Sequence, residues 1–128
     1  MSRALPQPIP EPVRFDGDAL YLLDQRRLPA EVVEERADDV EAVFEAIRSM
    51  KVRGAPAIGI AAAWGMVLAM RRAEAGDAVA WRERFERTRD WLVGARPTAV
   101  NLAWALRRLA ARVAATPDAI SALQRALE

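Results

Sequence analysis

The hydrophobic period of the chain changes near residue 38. Ahead of that point apolar and polar positions alternate in twos, with Val13 and Phe15 set against Arg14 and Asp16, and Leu20 and Leu22 about Tyr21. Asp16-Gly17 between the two runs is a favoured hairpin pair, so the pattern predicts a short hairpin over 12–24. A third, weaker strand is expected around Glu31–Arg36. Pro6, Pro8, Pro10 and Pro12 lead into this region. Each fixes φ and removes a backbone donor, which makes the first stretch an extended lead-in.

From Asp38 onward the spacing is helical. Val40, Val43, Phe44, Ile47 and Met50 share one face, with Asp38 expected as N-cap and Glu41 three residues on. A second helix is expected from Pro56 to about Ala75, ended by Gly76, and a third over Ala78–Val93 with Trp81, Phe85, Thr88 and Leu92 inward. A fourth is expected from Pro97, burying Val100, Ala103, Trp104, Leu106 and Leu109. Thr116-Pro117-Asp118 then reads as N-cap, first-turn Pro and acidic residue, opening a fifth helix with Ile120, Leu123 and Leu127 on one face. The predicted fold class is therefore mainly α (α+β): a short N-terminal antiparallel β-hairpin or three-stranded sheet within 1–36, followed by a bundle of about five helices over 38–128. The fifth helix reaches Glu128 without a capping residue, and the chain is expected to be the front of something longer.

Composition narrows the chemistry. At 128 residues there is room for one core. Alanine fills 27 positions and aromatics only 6%, which suits helices in close contact. The net charge of +1 gives no polycationic surface for nucleic acid. Without Cys or His there is no thiolate nucleophile, imidazole base, Ser-His-Asp triad or common zinc site. The start Met1-Ser2-Arg3-Ala4-Leu5-Pro6 lacks an apolar signal core, which argues for a cytoplasmic protein, and the uncharged stretch Ala55–Met70 reads as a buried helix instead of a membrane span. No metal and no cofactor are expected.

Two helix starts carry the candidate chemistry. In Lys51-Val52-Arg53-Gly54-Ala55-Pro56, Pro56 suits the first helical position, leaving Ala55 as an N-cap with no side-chain oxygen. The first-turn amides then lack a local acceptor, and Arg53 lies just ahead of the positive helix end. An anion held between guanidinium and amides resolves both faults, with Gly54 allowing close backbone approach. Gly94-Ala95-Arg96-Pro97-Thr98 is expected to repeat the arrangement, and two arginines at two helix starts could converge on one phosphate. The plain alternative is that water satisfies these amides and that the arginines are two of many. Asn101, one turn into the fourth helix, suits a ligand contact or a backbone contact equally well. Asp24 is the only carboxylate considered for acid–base work, and Asp24-Gln25-Arg26-Arg27 reads more readily as a solvated loop. Gly59 and Gly65 are expected to permit close helix packing.

Those same segments resemble a known family. Val52-Arg53-Gly54-Ala55-Pro56-Ala57-Ile58-Gly59 with Ala61-Ala62-Ala63-Trp64-Gly65, and Arg96-Pro97-Thr98-Ala99-Val100-Asn101-Leu102-Ala103-Trp104-Ala105, are similar to two signatures of the methylthioribose-1-phosphate isomerases. Leu23-Asp24-Gln25-Arg26-Arg27-Leu28-Pro29 is similar to their early segment. The resemblance implies aldose–ketose isomerisation of 5-methylthioribose 1-phosphate in methionine salvage, without a cofactor. It implies sugar-phosphate contacts at Arg53, Gly54, Ala55 and Arg96. It also implies a C-terminal Rossmann-like domain as partner, carrying the catalytic Cys and Asp and the usual homodimer contact. With no Cys in these 128 residues, no catalytic residue is assigned and the chain alone is expected to be inactive. Related readings are a ribose-1,5-bisphosphate isomerase domain and a non-catalytic regulatory or interaction module, as in the regulatory subunits of the translation-initiation exchange factor.

Overall fold

The computed structural model describes residues 11–17, 19–71 and 78–114. Three strands, β1 (Val13–Phe15), β2 (Leu20–Leu23) and β3 (Glu34–Ala37), form one antiparallel sheet in that order. The hairpin forms where alternation places it, with Val13 opposite Leu22 and Phe15 opposite Leu20. At its turn the Asp16 carboxylate accepts the Ala19 N–H at 2.7 Å, and Gly17 takes φ 95°, a value costly for any residue with a Cβ. The third strand begins at Glu34, three residues later than the expected Glu31, because Gln25–Arg27 winds into a single 3-10 turn and Glu31 N–H still bonds back to Arg27 O.

Four helices follow: α1 (Val40–Arg48), α2 (Ala55–Arg71), α3 (Ala78–Val93) and α4 (Val100–Ala114). The N-cap of α1 is Asp39, not Asp38. The Asp39 carboxylate accepts the Ala42 N–H at 2.8 Å, while the neighbouring Asp38 turns out to pair with Arg36. Helix α2 is apolar on all sides and lies at the centre, with α1, α3, α4 and β1 packed around it. Its side chains Ala61, Ala62, Met66 and Met70 are completely buried. The expected continuation to Ala75 and Gly76 and the fifth helix from Thr116 lie outside the described residues, as do Pro6, Pro8 and Pro10.

Two glycines let the neighbours approach. A Cβ on Gly59 would sit 3.1 Å from Ala105 Cβ of α4, and one on Gly65 would sit 3.0 Å from Val43 Cγ1 of α1. Stacked rings tie the outer elements on: Phe15 of the sheet lies 4.1 Å from Trp64 of α2, and Phe44 of α1 lies 4.4 Å from Trp91 of α3.

Helix α4 departs most from expectation. It begins at Val100, later than Pro97. Leu106 and Leu109 are buried as expected and are joined by Leu102 and Val113, whereas Val100 and Trp104, also expected inside, are 76% and 50% exposed. The close crossing of α4 over α2, where a Cβ on Gly59 would sit 3.1 Å from Ala105 Cβ, sets which side of α4 faces inward.

Candidate functional site

The first helix start is built on a backbone reversal. Gly54 has φ 93°, and the Ile58 N–H donates to Gly54 O at 3.0 Å, so Gly54 and not Ala55 occupies the capping position. It has no side chain, and no side-chain oxygen from this position covers the exposed Ala55 amide. The approach to this point is anchored at several places. Val52 is fully buried and its N–H bonds Ala46 O at 3.1 Å. The Lys51 carbonyl accepts the Gln25 N–H at 2.9 Å, and Lys51 Nζ pairs with Glu35 of β3. Arg53 is exposed, with its Nη2 donating to Gln25 O at 3.4 Å.

Beneath this lies Asp24, fully buried and far from the solvated loop expected. Oδ1 accepts the Arg26 N–H at 3.1 Å and Arg26 Nε at 2.9 Å, Oδ2 accepts Arg26 Nη2 at 2.9 Å, and Arg27 Nε lies at 3.4 Å. Hydrogen bonds from the Arg26 side chain hold the carboxyl down to about 2, against a burial effect that pushes it up. A carboxylate held ionised in this way, with its oxygens engaged, is a poor proton donor or acceptor at neutral pH. Gln25 Nε2 is buried and has no hydrogen-bond partner among the described residues.

The second start differs from the repeat expected. Arg96-Pro97-Thr98-Ala99 closes a turn, with Ala99 N–H on Arg96 O at 2.9 Å, and the helix opens only at Val100. Pro97 therefore stands outside the helix, and Arg96 lies half-buried in the turn instead of at an N-cap. Pro97 cannot donate to a helix ladder, so the turn ahead of Val100 meets its constraint equally well.

Between α2 and α4 lies an open cavity of about 510 Å³. Ala55 and Pro56 from the first motif and Asn101 from the second both line it, together with Ile60, Trp104 and Arg108. Its wall is largely apolar, and Arg108 rests over the Trp104 ring at 5.3 Å. The two motifs thus meet at one cavity, but neither Arg53 nor Arg96 is among its lining residues. Trp104 and Asn101 are the lining residues that the predicted α4 rotation placed differently or left open. Among the described residues no cluster of acidic side chains is placed to hold a metal ion, and no helix is long and apolar enough to cross a membrane.

Residues 51–127 match the model of the initiation factor 2 subunit family. A methylthioribose-1-phosphate isomerase of Xanthomonas euvesicatoria is 58% identical over 98 residues, covering 77% of this chain and 28% of the relative. One from Xanthomonas campestris is 54% identical over 108 residues, covering 84% and 30%. Among solved structures, 5-methylthioribose 1-phosphate isomerase from Pyrococcus horikoshii OT3 superposes with a TM-score of 0.80 at 39% identity, over 92% of this chain and 33% of that one. The delta subunit of translation initiation factor eIF-2B from A. fulgidus superposes with a TM-score of 0.81 at 32% identity, over 89% and 34%. The chain spans less than a third of the length of the two Xanthomonas relatives. The resemblance read from the two motifs is borne out, and the chain belongs to the initiation factor 2 subunit family.

Proposed function

We propose that residues 1–128 form the N-terminal, substrate-binding domain of a cytoplasmic methylthioribose-1-phosphate isomerase, with the phosphate of 5-methylthioribose 1-phosphate held by Arg53, Gly54, Ala55 and Arg96. The observation that carries this reading is the Gly54 reversal: it delivers an exposed guanidinium and a helix start without a side-chain cap side by side. Helix amides and a guanidinium together suit a phosphate monoester, as donors to its oxygens and as positive charge. The identity of 54–58% to proteins named as these isomerases supports the choice of sugar.

Aldose–ketose isomerisation moves a hydrogen between C1 and C2 and needs a positioned acid/base group. Arginine stays protonated, and Asp24 is locked as a carboxylate under its own arginines. In this reading the proton-transferring group comes from outside these 128 residues, and the chain alone gives no turnover. The likeness to the eIF-2B delta subunit favours, as a second reading, a non-catalytic module in which neither arginine meets a ligand.

The test is an NMR titration of the purified chain with 5-methylthioribose 1-phosphate, following the Gly54 and Ala55 amides. Saturable shifts with a markedly reduced affinity in Arg53→Ala and in Arg96→Ala are expected. No shift at millimolar sugar phosphate, or an affinity unchanged in both variants, would overturn the reading in favour of the non-catalytic module.

A further inference from the structure

Arg53 is exposed, yet the segment carrying it is anchored at several points. An exposed arginine keeps most of its rotamer freedom, and a binding site loses affinity when that freedom must be removed on contact. Here the surrounding protein has already removed part of it. The Arg53 Nη2 rests on Gln25 O at 3.4 Å, and the Gln25 N–H returns the connection to Lys51 O at 2.9 Å. The 3-10 turn at Gln25–Arg27 and the Lys51–Arg53 segment therefore strap each other through both polar groups of one peptide residue.

That turn is in turn set by Asp24. Its backbone N–H bonds Val33 O at 2.8 Å, and its carboxylate receives both the Arg26 backbone N–H and the Arg26 guanidinium. With the Arg27 guanidinium also at 3.4 Å, the single buried charged side chain among the described residues faces two arginines that are themselves about half exposed. Burying a carboxylate is costly unless it is paired and hydrogen-bonded. The carboxylate lies outside the strands themselves, since β2 ends at Leu23 and β3 begins at Glu34. What the carboxylate does fix is the conformation of residues 25–27, and so the place of the carbonyl that Arg53 leans on.

We propose that Asp24 is a positioning residue for Arg53, acting through the Gln25–Arg27 turn to hold the guanidinium beside the Gly54 reversal. The proposal rests on the phosphate reading of Arg53, and its mechanism is preorganisation: Asp24 touches no substrate and transfers no proton. Replacing the carboxylate by an amide keeps the size but removes the charge and one acceptor, so the turn loosens and Arg53 regains its freedom.

The experiment is a double-mutant cycle on the full 128-residue chain with 5-methylthioribose 1-phosphate as probe. Affinity is measured for the wild type, Asp24→Asn, Arg53→Ala and the double variant, with far-UV circular dichroism establishing that each is folded. Asp24→Asn is expected to weaken binding by about fivefold in the wild-type background and hardly at all once Arg53 is already Ala. A merely structural role would weaken binding equally in both backgrounds, and that result overturns the proposal. So does an Asp24→Asn chain that binds like the wild type while Arg53→Ala does not, which leaves the phosphate reading intact. If Arg53→Ala binds like the wild type, the phosphate reading fails and this proposal with it.

A ligand-free readout decides the matter independently of the sugar. The Arg53 side-chain Nε–H order parameter is expected to be high in the wild type and to fall to that of freely exposed arginines in Asp24→Asn. An unchanged order parameter overturns the positioning role. Should Asp24→Asn fail to fold, Arg26→Gln, at a half-exposed side chain, removes the same bidentate contact and carries both measurements.

Discussion

The two motif-bearing helix starts look alike in sequence and are built differently. Each places an arginine shortly before a proline at or near the start of an alanine-rich helix. At the first, Gly54 at φ 93° reverses the chain and α2 opens at once at Ala55, so Arg53 stands two residues ahead of the first helical residue. At the second, a hydrogen-bonded turn from Arg96 to Ala99 intervenes and α4 opens only at Val100. The difference shows that an arginine followed within three residues by a proline does not by itself define where a helix opens. A residue able to take positive φ does so at one start, and a type of turn that tolerates Pro displaces the helix at the other.

The largest expected effect tests the face that α4 turns toward α2 at the Gly59–Ala105 crossing. Leu102→Ala removes a fully buried side chain and should cost about 2–5 kcal/mol, while Val100→Ala, at a position 76% exposed, should stay within about 0.5 kcal/mol. Urea denaturation midpoints of the two variants decide it. Equal losses would mean that Val100 packs as closely as Leu102.

A smaller effect concerns the anchoring found only beside the first start. The Asp24 carboxyl lies at about 2 in the folded chain, below its unfolded value. A depressed carboxyl contributes stability that is fully present above the unfolded pKa and is lost as pH falls through the folded one. Because both arginine partners are about half exposed, the contribution is about 1–2 kcal/mol, less than the full shift would give. Urea midpoints measured from pH 5 down to pH 2 should fall more steeply for the wild type than for Asp24→Asn. Parallel slopes would show that the pairing does not stabilise the fold.

A comparable effect separates the two starts directly. Gly54→Ala meets nothing within 4 Å, so its cost is backbone strain alone, about 1–2 kcal/mol. Thr98→Ala, in the turn ahead of α4, should change stability by less than about 0.5 kcal/mol. Thermal midpoints of the two variants that fall together would remove the distinction.

Much of this was legible along the chain because short-range physics decides it. Alternation about Asp16-Gly17 specifies the hairpin, since a two-residue period and a turn pair suffice. The Ala78–Val93 helix follows its periodicity to the residue. The unbroken apolar run of α2 foretells a central helix, because no polar face is left to show to water. The first motif, too, was readable as a place lacking a cap.

Other features needed the folded neighbours. Glu41 three residues on favours Asp38 as the cap by sequence, and the pairing of Asp38 with Arg36 at the end of β3 leaves the cap to Asp39. Asp24 reads as a loop residue until the turn brings Arg26 and Arg27 onto its carboxylate and the protein closes over it. In α4 Val100 and Trp104 are as apolar as Leu106 and Leu109, so composition does not tell that the first two stay at the surface. The sequence by itself determined that a small sheet precedes an alanine-rich bundle and that two arginine-bearing segments stand ahead of helices. Only the tertiary structure decided which face α4 buries, where each helix opens and what holds Arg53, because each depends on contacts between segments far apart in the chain.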